Sequence, residues 1–471
     1  MDKHFDLSSI KRVHFIGVGG VSMSGLAETL YRNGFIVSGS DRSASPATRH
    51  LSKMGIDVMI GADAKNITKD IDLVVYTAAI KADNPELVAA GSMGIPIMVR
   101  AELLGALLQS YEYAVCVAGT HGKTSTTALI TDIALKAGLD PTVNIGGYIG
   151  DTNYYIGNSP YFILEACEYS NSFHYMKPYI GVILNIDEDH MDFHGSIDAI
   201  IESFAVFARN IRPGGMLVIQ DSIPGFDKIT AGLTCRIVTF STGPVNAPYG
   251  NSTKNPGISC YWARNIVIGA SGTPSFDIME GDNFQARVDL PLPGIYNMHN
   301  ALAAYAATRA LGVEPADIAA SLSKTRNVKR RYEYKGIVNG TAIVDDYAHH
   351  PTEIKACLAA ARSTNPKRII CLFQPHTYTR TRNHFDDFAK SFTEADIVLF
   401  VPIYAAREPF DPTITSEMLA KEARANGSMT VSLNSLEEAE GWLRGKLMPD
   451  DLLITMGAGD VYLVGERLLS K

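Results

Sequence analysis

The residues best suited to chemistry lie in one stretch, residues 113–127, which reads YAVCVAGTHGKTSTT. An apolar run precedes two glycines, Gly119 and Gly122, and these precede Lys123 and Thr124. Glycines let backbone N–H groups turn toward an anion, and a following helix adds the positive end of its dipole. Lys123 can reach terminal phosphates, and Thr124 supplies a hydroxyl for a phosphate-bound Mg²⁺. The pattern predicts a strand, a phosphate-binding loop and a helix.

The spacing of this loop differs from the usual P-loop, which has a glycine five positions before the glycine of the Gly-Lys pair. Val117 occupies that position here. The loop is therefore shorter than the usual P-loop, and this spacing excludes the nucleotide-binding proteins that have the usual one. An ordinary glycine-rich turn before a helix is the alternative, but it explains neither the lysine nor the hydroxyls that follow it.

Glu165 and His190 each follow an apolar, strand-like run in the middle of the chain. Ligands of an open α/β sheet gather at the carboxyl ends of its strands, so we expect these two residues to meet Thr124. A hydroxyl, a carboxylate and an imidazole can surround a nucleotide-bound Mg²⁺ or Mn²⁺, although imidazole is the less usual ligand. A structural role for His190 and a solvated loop at Asp187, Glu188, Asp189 and Asp192 remain the alternatives.

Two further patterns in the middle of the chain predict local structure. The glycines Gly146, Gly147 and Gly150 predict a surface loop. Short strand-like runs between residues 216 and 290, separated by turn residues, predict a small antiparallel insertion.

Asn297 and Asn300 lie three residues apart at the start of a predicted helix, so both side chains can face one ligand. Their amides can bind an adenine edge or a ribose. Helix capping by Asn297 explains the first of them equally well.

The last third of the chain alternates strands and helices from about residue 341, which predicts a second, mostly parallel sheet. Its strands end in the polar loops DDYAHHP, QPHTYTRTR, PIYAAREP and MGAGD. These loops predict one rim that faces a ligand. Arg380 and Arg382 suit a carboxylate, which a guanidinium binds at two points. A charged surface loop is the alternative.

The first segment has the plan of a dinucleotide-binding β-α-β unit, because GVGGVSMSGLAETL follows an apolar strand. Gly19 and Gly20 belong to this motif, but Ser22 stands where its third glycine is expected. Asp41 ends the second strand and is placed to meet a ribose hydroxyl. We interpret the unit as a site for a nucleotide diphosphate and not for a nicotinamide cofactor. A Rossmann-like unit without a ligand is the alternative.

Composition limits the class of protein. A chain of 471 residues suggests about three domains, and the net charge of −8 argues against a general nucleic-acid binder. The chain shows no signal peptide and no apolar run as long as a membrane span. Six scattered cysteines without metal spacing predict free thiols and a cytoplasmic location: Cys116, Cys167, Cys235, Cys260, Cys357 and Cys371.

Together these motifs resemble the Mur ligases, the ATP-dependent amide ligases of peptidoglycan precursor synthesis. The resemblance runs along the whole chain, through GVGGVSMSGLA, GTHGKTSTT, EACEYSNSF, NIDEDHMD, LPGIYNMHNALAA, KRR, DDYAHHPTEI and FQPHTYTRT. The first and last of these, with DDYAHHPTEI, match the alanine-adding branch. This resemblance implies that ATP and Mg²⁺ (or Mn²⁺) serve to join L-alanine to the lactyl carboxylate of UDP-N-acetylmuramate through an acyl phosphate, giving ADP and phosphate.

The resemblance also implies an α/β fold with three domains. Residues 1–108 would form a Rossmann-like UDP-sugar domain, and residues 109–318 a P-loop-type ATPase domain with a mostly parallel sheet. Residues 319–471 would form a Rossmann-like domain that binds the amino acid and closes over ATP. The partners expected are small-molecule substrates, with no nucleic acid, no membrane insertion and a monomeric or homodimeric state.

Site residues follow from the resemblance by position. It places the UDP-sugar at Gly19, Gly20, Met23, Ser24, Asp41, Thr77, Ala78 and Arg100. It places ATP at Gly119, Thr120, His121, Gly122, Lys123, Thr124 and Ser125, with Asn297 and Asn300 at adenine and Arg331 and Asp346 at phosphate or ribose. Lys123, Glu165 and His190 would be catalytic, and Thr124, Glu165 and His190 would hold the metal. His349, His376 and Arg380 would lie near the amino acid.

Two departures from the family pattern affect these assignments. Tyr296 stands where histidine usually opens the Asn297 helix, and Thr377 stands where arginine often follows Gln-Pro-His. Arg380 is therefore the better candidate to bind the carboxylate. The alternatives are a ligase that returns murein tripeptide to the same sugar nucleotide, a folate polyglutamate ligase, a nicotinamide-dependent dehydrogenase and a catalytically silent regulator.

Overall fold

The computed structural model describes residues 7–77, 80–149, 152–189, 191–243 and 259–470. Packing divides the chain into two compact units. Unit 1 holds the described residues among 1–240, 245–260 and 303–314. Unit 2 holds those among 241–244, 261–302 and 315–471.

Unit 1 begins with a sheet of five parallel strands. Its elements are β1 (Arg12–Ile16), α1 (Val21–Arg32), β2 (Ile36–Asp41), α2 (Pro46–Lys53), β3 (Asp57–Ile60), β4 (Leu73–Tyr76), α3 (Pro85–Met93), β5 (Ile97–Val99) and α4 (Arg100–Leu108). Short 3-10 helices lie at Leu7–Ser9 and Ala64–Asn66. The strand order is β3-β2-β1-β4-β5. The order reverses direction at β1, and Rossmann-like folds bind ligands at the carboxyl end of that switch point.

A second, larger group of parallel strands carries the phosphate loop. Its elements are β6 (Tyr113–Ala118), α5 (Lys123–Lys136), β7 (Thr142–Ile149), β8 (Thr152–Tyr155), β9 (Tyr161–Glu165), β10 (Ile180–Ile183), α6 (Met191–His194), α7 (Ile197–Arg209), β11 (Met216–Gln220), α8 (Phe226–Thr230) and β12 (Arg236–Ser241). A 3-10 helix spans Tyr169–Tyr175. The order is β12-β11-β10-β6-β9-β7-β8, with only β8 antiparallel to its neighbour. The apolar run at β6 is thus a buried strand, as strands covered on both faces are.

Unit 2 contains an antiparallel group and a mixed sheet. The first consists of β13 (Ser259–Ile268), β14 (Pro274–Glu280) and β15 (Asn283–Asp289), which pair in sequence. Along the chain then follows α9 (Ile295–Ala310), of which residues 303–310 belong to unit 1. Unit 2 continues with α10 (Pro315–Leu322), β16 (Glu333–Val338), β17 (Thr341–Asp346), α11 (Pro351–Ser363), β18 (Arg368–Phe373), α12 (Tyr378–Asn383), α13 (Phe385–Ala389), β19 (Ile397–Phe400), α14 (Ser416–Ala425), β20 (Thr430–Ser432), α15 (Leu436–Arg444), β21 (Asp451–Met456) and α16 (Tyr462–Leu469).

The sheet of unit 2 has the order β16-β17-β21-β18-β19-β20, in which only β16 is antiparallel. One apolar core includes Leu358 of α11 and Phe388 of α13, and another includes Leu443 of α15 and Leu468 of α16. The sheet is therefore covered on both faces, and its polar groups concentrate at the strand ends.

Two expectations about the middle of the chain are wrong. The glycine-rich chain at Gly146 and Gly147 is not a surface loop but part of strand β7 (Gly150 lies outside the described residues). The short runs between residues 216 and 290 do not form one antiparallel insertion, since β11 and β12 join the parallel sheet. Only β13, β14 and β15 pair in antiparallel fashion. Short apolar runs carry no signal for the direction of pairing, which explains the second error.

Within the described residues, no helix is both long enough and apolar enough to span a bilayer.

Candidate functional site

The loop between β6 and α5 has the backbone that a phosphate site needs. Gly119 and Gly122 both have positive φ angles, +143° and +82°, which favour glycine. A Cβ on Gly119 would lie 3.0 Å from the Cβ of Leu184, so a side chain there would be strained and crowded. α5 begins at Lys123, and its first N–H groups therefore face the loop.

Residues after β10 hold the shape of this loop. The N–H of His121 donates to Oδ1 of Asn185 at 2.8 Å, and Nδ2 of Asn185 donates to the His121 carbonyl at 3.0 Å. The N–H of Asp187 donates to Oγ1 of Thr120 at 2.9 Å, and His121 Nε2 lies 3.3 Å from Oδ2 of Asp187. Part of the acidic run at 187–189 is thus structural and not only a solvated loop. Sequence reasoning missed Asn185, although its place at a strand end was a usable signal.

Lys123 lies folded against the loop. Its Nζ donates to the carbonyls of Gly119 and Thr120, at 2.6 and 3.0 Å, and to Oε1 of Glu168, at 3.1 Å. Oε2 of Glu168 is 2.9 Å from the same Nζ. Burial alone would lower the pKa of Lys123, but the carboxylate of Glu168 outweighs it and raises that pKa above the usual value. Lys123 is therefore a fixed cation, and Glu168 is a partner that sequence reasoning missed.

Glu165 lies beside the phosphate loop, and among the described residues one of its carboxylate oxygens has no hydrogen-bond partner. It ends β9, where it is the register partner of Val117, two residues before Gly119. Among the described residues, neither its Oε1 nor Nδ2 of Asn144 in β7 has a hydrogen-bond partner, and both atoms are buried. Unpaired buried polar atoms are costly and indicate a ligand. Asn144 is a second residue that sequence reasoning missed, because its segment was expected to be a loop.

These groups fit a hard cation. A carboxylate and a hydroxyl are oxygen ligands of the type that Mg²⁺ prefers, and Thr124 is buried in the first turn of α5. Ser125 follows it in the same turn. His190, the third expected ligand, lies outside the described residues.

Asp41 braces the glycine-rich loop of the first sheet. Its Oδ2 accepts the N–H of Gly19 at 2.8 Å, and a Cβ on Gly19 would lie 2.8 Å from that oxygen. Gly20 is the N-cap of α1, and the N–H of Ser24 donates to its carbonyl at 2.9 Å. The carboxylate expected at a ribose thus also sets the loop conformation.

The other expected UDP-sugar residues differ in accessibility. Arg100 donates from Nη1 to Oγ of Ser22 at 2.9 Å, and burial lowers its pKa. Thr77 lies against Gly17, whose added Cβ would meet Cγ2 of Thr77 at 3.2 Å. Met23 is only 2% exposed and packs in the hydrophobic core. Ala78 lies outside the described residues.

In unit 2, Asn297 and Asn300 are buried and bonded to each other. Nδ2 of Asn297 donates to the Pro293 carbonyl at 2.8 Å, and Nδ2 of Asn300 donates to Oδ1 of Asn297 at 3.4 Å. Because α9 begins at Ile295, Asn297 is inside the helix and is not its cap. Tyr296, the departure from the family pattern, is partly buried, and this desolvation raises its pKa well above the usual value.

Asp346 organises the turn after β17. Its two oxygens accept the N–H groups of Tyr332 and Ala348, each at 2.7 Å. Burial raises the pKa of Asp346 to about 6, even though nearby Arg331 opposes the change. The guanidinium of Arg331 lies 5.1 Å from the centre of the Tyr347 ring, within cation–π range. Both expected ATP residues are therefore near each other in unit 2.

The loops after β17, β18 and β19 bring the expected amino-acid residues together. The rings of His349 and His376 lie edge to face, 5.7 Å apart, and Tyr404 stacks on His376 at 5.8 Å. Arg380 Nη1 donates to Nδ1 of His376 at 3.3 Å. Burial and this cation lower the pKa of His376 to about 4. Because a guanidinium can only donate, the neutral His376 ring carries its proton on Nε2.

Arg382 has a different environment from Arg380. It forms an ion pair with Asp411 and donates from Nη2 to Oγ1 of Thr413 at 3.2 Å. Thr377, which stands where arginine was expected, is the N-cap of α12 and accepts the N–H of Arg380 at 3.4 Å. The two arginines therefore have different partners in the structure.

Three family descriptions match successive parts of the chain. The description "Mur ligase family, catalytic domain" matches residues 12–112, "Mur ligase middle domain" matches 117–308, and "Mur ligase, glutamate ligase domain" matches 330–459. The chain belongs to the Mur ligase family. The expected three-domain α/β fold with mostly parallel sheets is thereby confirmed for this Mur ligase.

Curated relatives of this Mur ligase match along its full length. It is 45% identical over 473 residues to the UDP-N-acetylmuramate–L-alanine ligase of Clostridium novyi, covering 100% of this chain and 99% of the relative. The enzyme of the same name from Acetivibrio thermocellus is 45% identical over 468 residues, covering 98% and 97%.

Two solved structures of similar ligases have the same fold as this chain. The crystal structure of the UDP-N-acetylmuramate–alanine ligase of Thermotoga maritima has a TM-score of 0.76 and 26% identity, covering 98% of each chain. A murein peptide ligase of Psychrobacter arcticus has the same fold, with a TM-score of 0.67, 24% identity and 98% of each chain covered.

Proposed function

We propose that this Mur ligase uses ATP to join L-alanine to the lactyl carboxylate of UDP-N-acetylmuramate, giving ADP and phosphate in peptidoglycan precursor synthesis. The observation that carries this proposal is the full-length similarity, at 45% identity, to two enzymes named for that reaction. The glycine loop with its buried Lys123 supports the use of ATP.

The chemistry explains why such a site needs no nucleophilic side chain. A carboxylate is a poor acylating agent, so a phosphoryl group from ATP first converts it to an acyl phosphate. The amine of alanine then attacks the acyl carbon, the C–N bond forms, and phosphate leaves with the electron pair of the broken C–O bond. Lys123 and the loop N–H groups offset charge on the transferring phosphoryl group.

The proposed metal and nucleotide contacts involve the residues of the phosphate loop and the groups around it. Thr124, Glu165 and His190 would hold Mg²⁺ (or Mn²⁺), which supplies charge neutralisation at the phosphates. Oε1 of Glu165 is buried and has no hydrogen-bond partner among the described residues, which supports the binding of a cation at this position. Residues 119–125 would bind the ATP phosphates, with Asn297 and Asn300 at adenine and Arg331 and Asp346 at phosphate or ribose.

The remaining assignments concern the other two substrates. Residues 1–108 would bind the UDP-sugar, through Gly19, Gly20, Met23, Ser24, Asp41, Thr77, Ala78 and Arg100. Residues 109–318 would form the ATPase domain. Residues 319–471 would bind alanine, with Arg380 and Nε2 of His376 donating to its carboxylate and His349 beside them. All six cysteines are free thiols, which fits a cytoplasmic enzyme.

An assay of phosphate release tests this function. Release is expected only when ATP, UDP-N-acetylmuramate and L-alanine are all present, and chelation of divalent cations should stop it. Glycine, L-serine and murein tripeptide serve as alternative acceptors. Release supported equally by the tripeptide would favour the recycling ligase, and release that needs no amino acid would reject the proposal.

A further inference from the structure

The ammonium group of Lys123 has no donor left for a new ligand. It has three N–H bonds, and its acceptors are the Gly119 carbonyl, the Thr120 carbonyl and the carboxylate of Glu168. A phosphate oxygen can therefore bind Lys123 only when one of these three acceptors is released.

The structure distinguishes which acceptor can leave. The carbonyls of Gly119 and Thr120 belong to a loop that Asn185 and Asp187 hold in place through hydrogen bonds to its backbone N–H groups and to the Thr120 hydroxyl. Glu168 reaches Lys123 through a rotatable side chain. Its carboxylate also carries the same sign of charge as an incoming phosphate, so their repulsion favours exchange.

Glu168 is held as a specific partner of Lys123. It is only 4% exposed, and within the described part of the chain Lys123 is its sole side-chain partner. The residues that follow, Ser170 and Asn171, have positive φ angles of 55° and 53°. Such backbone is uncommon for residues other than glycine, although asparagine tolerates it better than serine does, and its surroundings help to hold it.

The surroundings that enforce this turn are hydrogen bonds to α7. Oδ1 of Asn171 accepts from Oγ of Ser203 at 2.6 Å, and Nε2 of His174 lies 2.9 Å from the same hydroxyl. The N–H of Asn171 donates to the Glu168 carbonyl at 3.0 Å. The turn therefore fixes the backbone of Glu168 and leaves its side chain as the movable part.

We propose that Glu168 is a positioning residue that holds Lys123 ready in the loop and is exchanged for a phosphate oxygen when ATP binds. This inference rests on the proposed binding of ATP at the Lys123 loop. When ADP leaves, Glu168 returns to Lys123 and neutralises the buried cation. It follows that Glu168 lowers the affinity for nucleotide and, by competing for Lys123, speeds the release of product.

The test is a calorimetric titration of the full-length protein with ADP and Mg²⁺. Glu168→Gln keeps the size of the side chain and an acceptor oxygen but removes the charge. We expect it to lower the Kd for ADP by about three- to tenfold, because a competing like charge is gone. The KM for ATP should fall by a similar factor, without a rise in kcat.

Two further variants decide whether the effect acts through Lys123. Glu168→Asp keeps the charge, so its Kd for ADP should be much closer to the wild-type value than that of Glu168→Gln. In a Lys123→Met background, Glu168→Gln should leave the Kd for ADP unchanged, as a double-mutant cycle requires of coupled residues. Glu202→Gln removes an equal charge from an exposed ion pair on α7 and should have no effect.

Two results would overturn the proposal. A weaker affinity for ADP in Glu168→Gln would mean that Glu168 only orients Lys123 and is not exchanged. An undiminished effect in the Lys123→Met background would mean that Glu168 acts by another route. Because ADP binding needs neither sugar nucleotide nor alanine, failure of the proposed ligase activity would appear separately, as phosphate release that does not depend on those substrates.

Discussion

In unit 2, the hydrogen-bond donors of Arg380 and His376 determine which ligand the loops after β17, β18 and β19 can bind. Arg380 donates to Nδ1 of His376, and the low pKa of that ring keeps it neutral above about pH 4. His376 therefore offers one N–H, from Nε2, beside the guanidinium of Arg380. A planar carboxylate suits such a set of donors.

Replacement of Arg380 by lysine tests this arrangement. Arg380→Lys keeps the charge but loses the two-point geometry and the hydrogen bond to His376. We expect the KM for L-alanine to rise by about 10- to 100-fold, the range of one or two charge-assisted hydrogen bonds. Initial rates measured against alanine, with the other substrates saturating, give this value.

Arg382→Lys provides the contrast for this measurement. Arg382 is bound to Asp411 and Thr413, so its replacement should change the KM for alanine much less. Equal effects of the two substitutions would contradict the assignment of Arg380 to the carboxylate.

Sequence reasoning at this scale identifies residue types at strand ends but not their partners. Glu165 follows a strand in the sequence and lies beside the loop in the structure. The pairing of Lys123 with Glu168 joins residues 45 positions apart, and no local pattern encodes it.

At the scale of elements, strand β7 shows why glycine content misleads. Glycines usually weaken a strand, so Gly146 and Gly147 suggested a loop. In the structure, a Cβ on Gly146 would lie 2.5 Å from Oε2 of Glu165. Glycine allows this carboxylate to lie close to the β7 backbone, and this approach between β9 and β7 cannot be read from local composition.

Gly146→Ala tests whether this approach positions Glu165. The new methyl group meets the flexible end of a side chain, so the protein should fold normally while the carboxylate moves. A misplacement of about 1 Å at a catalytic group can cost roughly 100-fold in rate, and we expect a loss of that order in kcat. Steady-state rates and a thermal unfolding curve measure the two effects.

Gly91→Ala is the matched control, because Gly91 lies in α3 and an added Cβ meets open space there. It should leave the rate unchanged and slightly stabilise the helix. Wild-type activity in Gly146→Ala would show that the position of Glu165 does not matter for the reaction.

At the scale of the whole molecule, the alternation of strands and helices was sufficient to predict an α/β protein. The order of the strands and the edge strands β3, β8 and β20 were not predicted. Such strands are short or only partly buried, and their pairing depends on segments distant in sequence. Periodicity therefore identified the central strands but not the arrangement of each sheet.

The two tryptophans of the chain allow unit 2 to be followed by itself. Trp262 and Trp442 both belong to unit 2, so intrinsic tryptophan fluorescence reports the unfolding of that unit. Unit 2 also contains His299, whose burial lowers its pKa to about 4 and whose Nε2 lies 2.7 Å from Oγ1 of Thr242. The fluorescence signal can thus measure how this partly buried histidine changes the dependence of stability on pH.

His299 should make unit 2 sensitive to acid. In the unfolded chain a histidine takes up its proton near pH 6.5, whereas folded His299 stays neutral until about pH 4. Between these values the unfolded state binds more protons, so stability falls as the pH falls. The loss accumulates from about pH 6.5 to 4 and is on the order of 2–3 kcal/mol.

His299→Gln removes this titration and keeps a side-chain nitrogen near Thr242. Urea unfolding followed by tryptophan fluorescence at pH 7.5 and pH 5 gives the change for each protein. We expect the variant to lose less stability between the two pH values than the wild type does, whatever their difference at pH 7.5. Since His376 titrates in the same window, some acid sensitivity should remain in the variant. Equal losses in the two proteins would show that His299 is not held neutral by the fold.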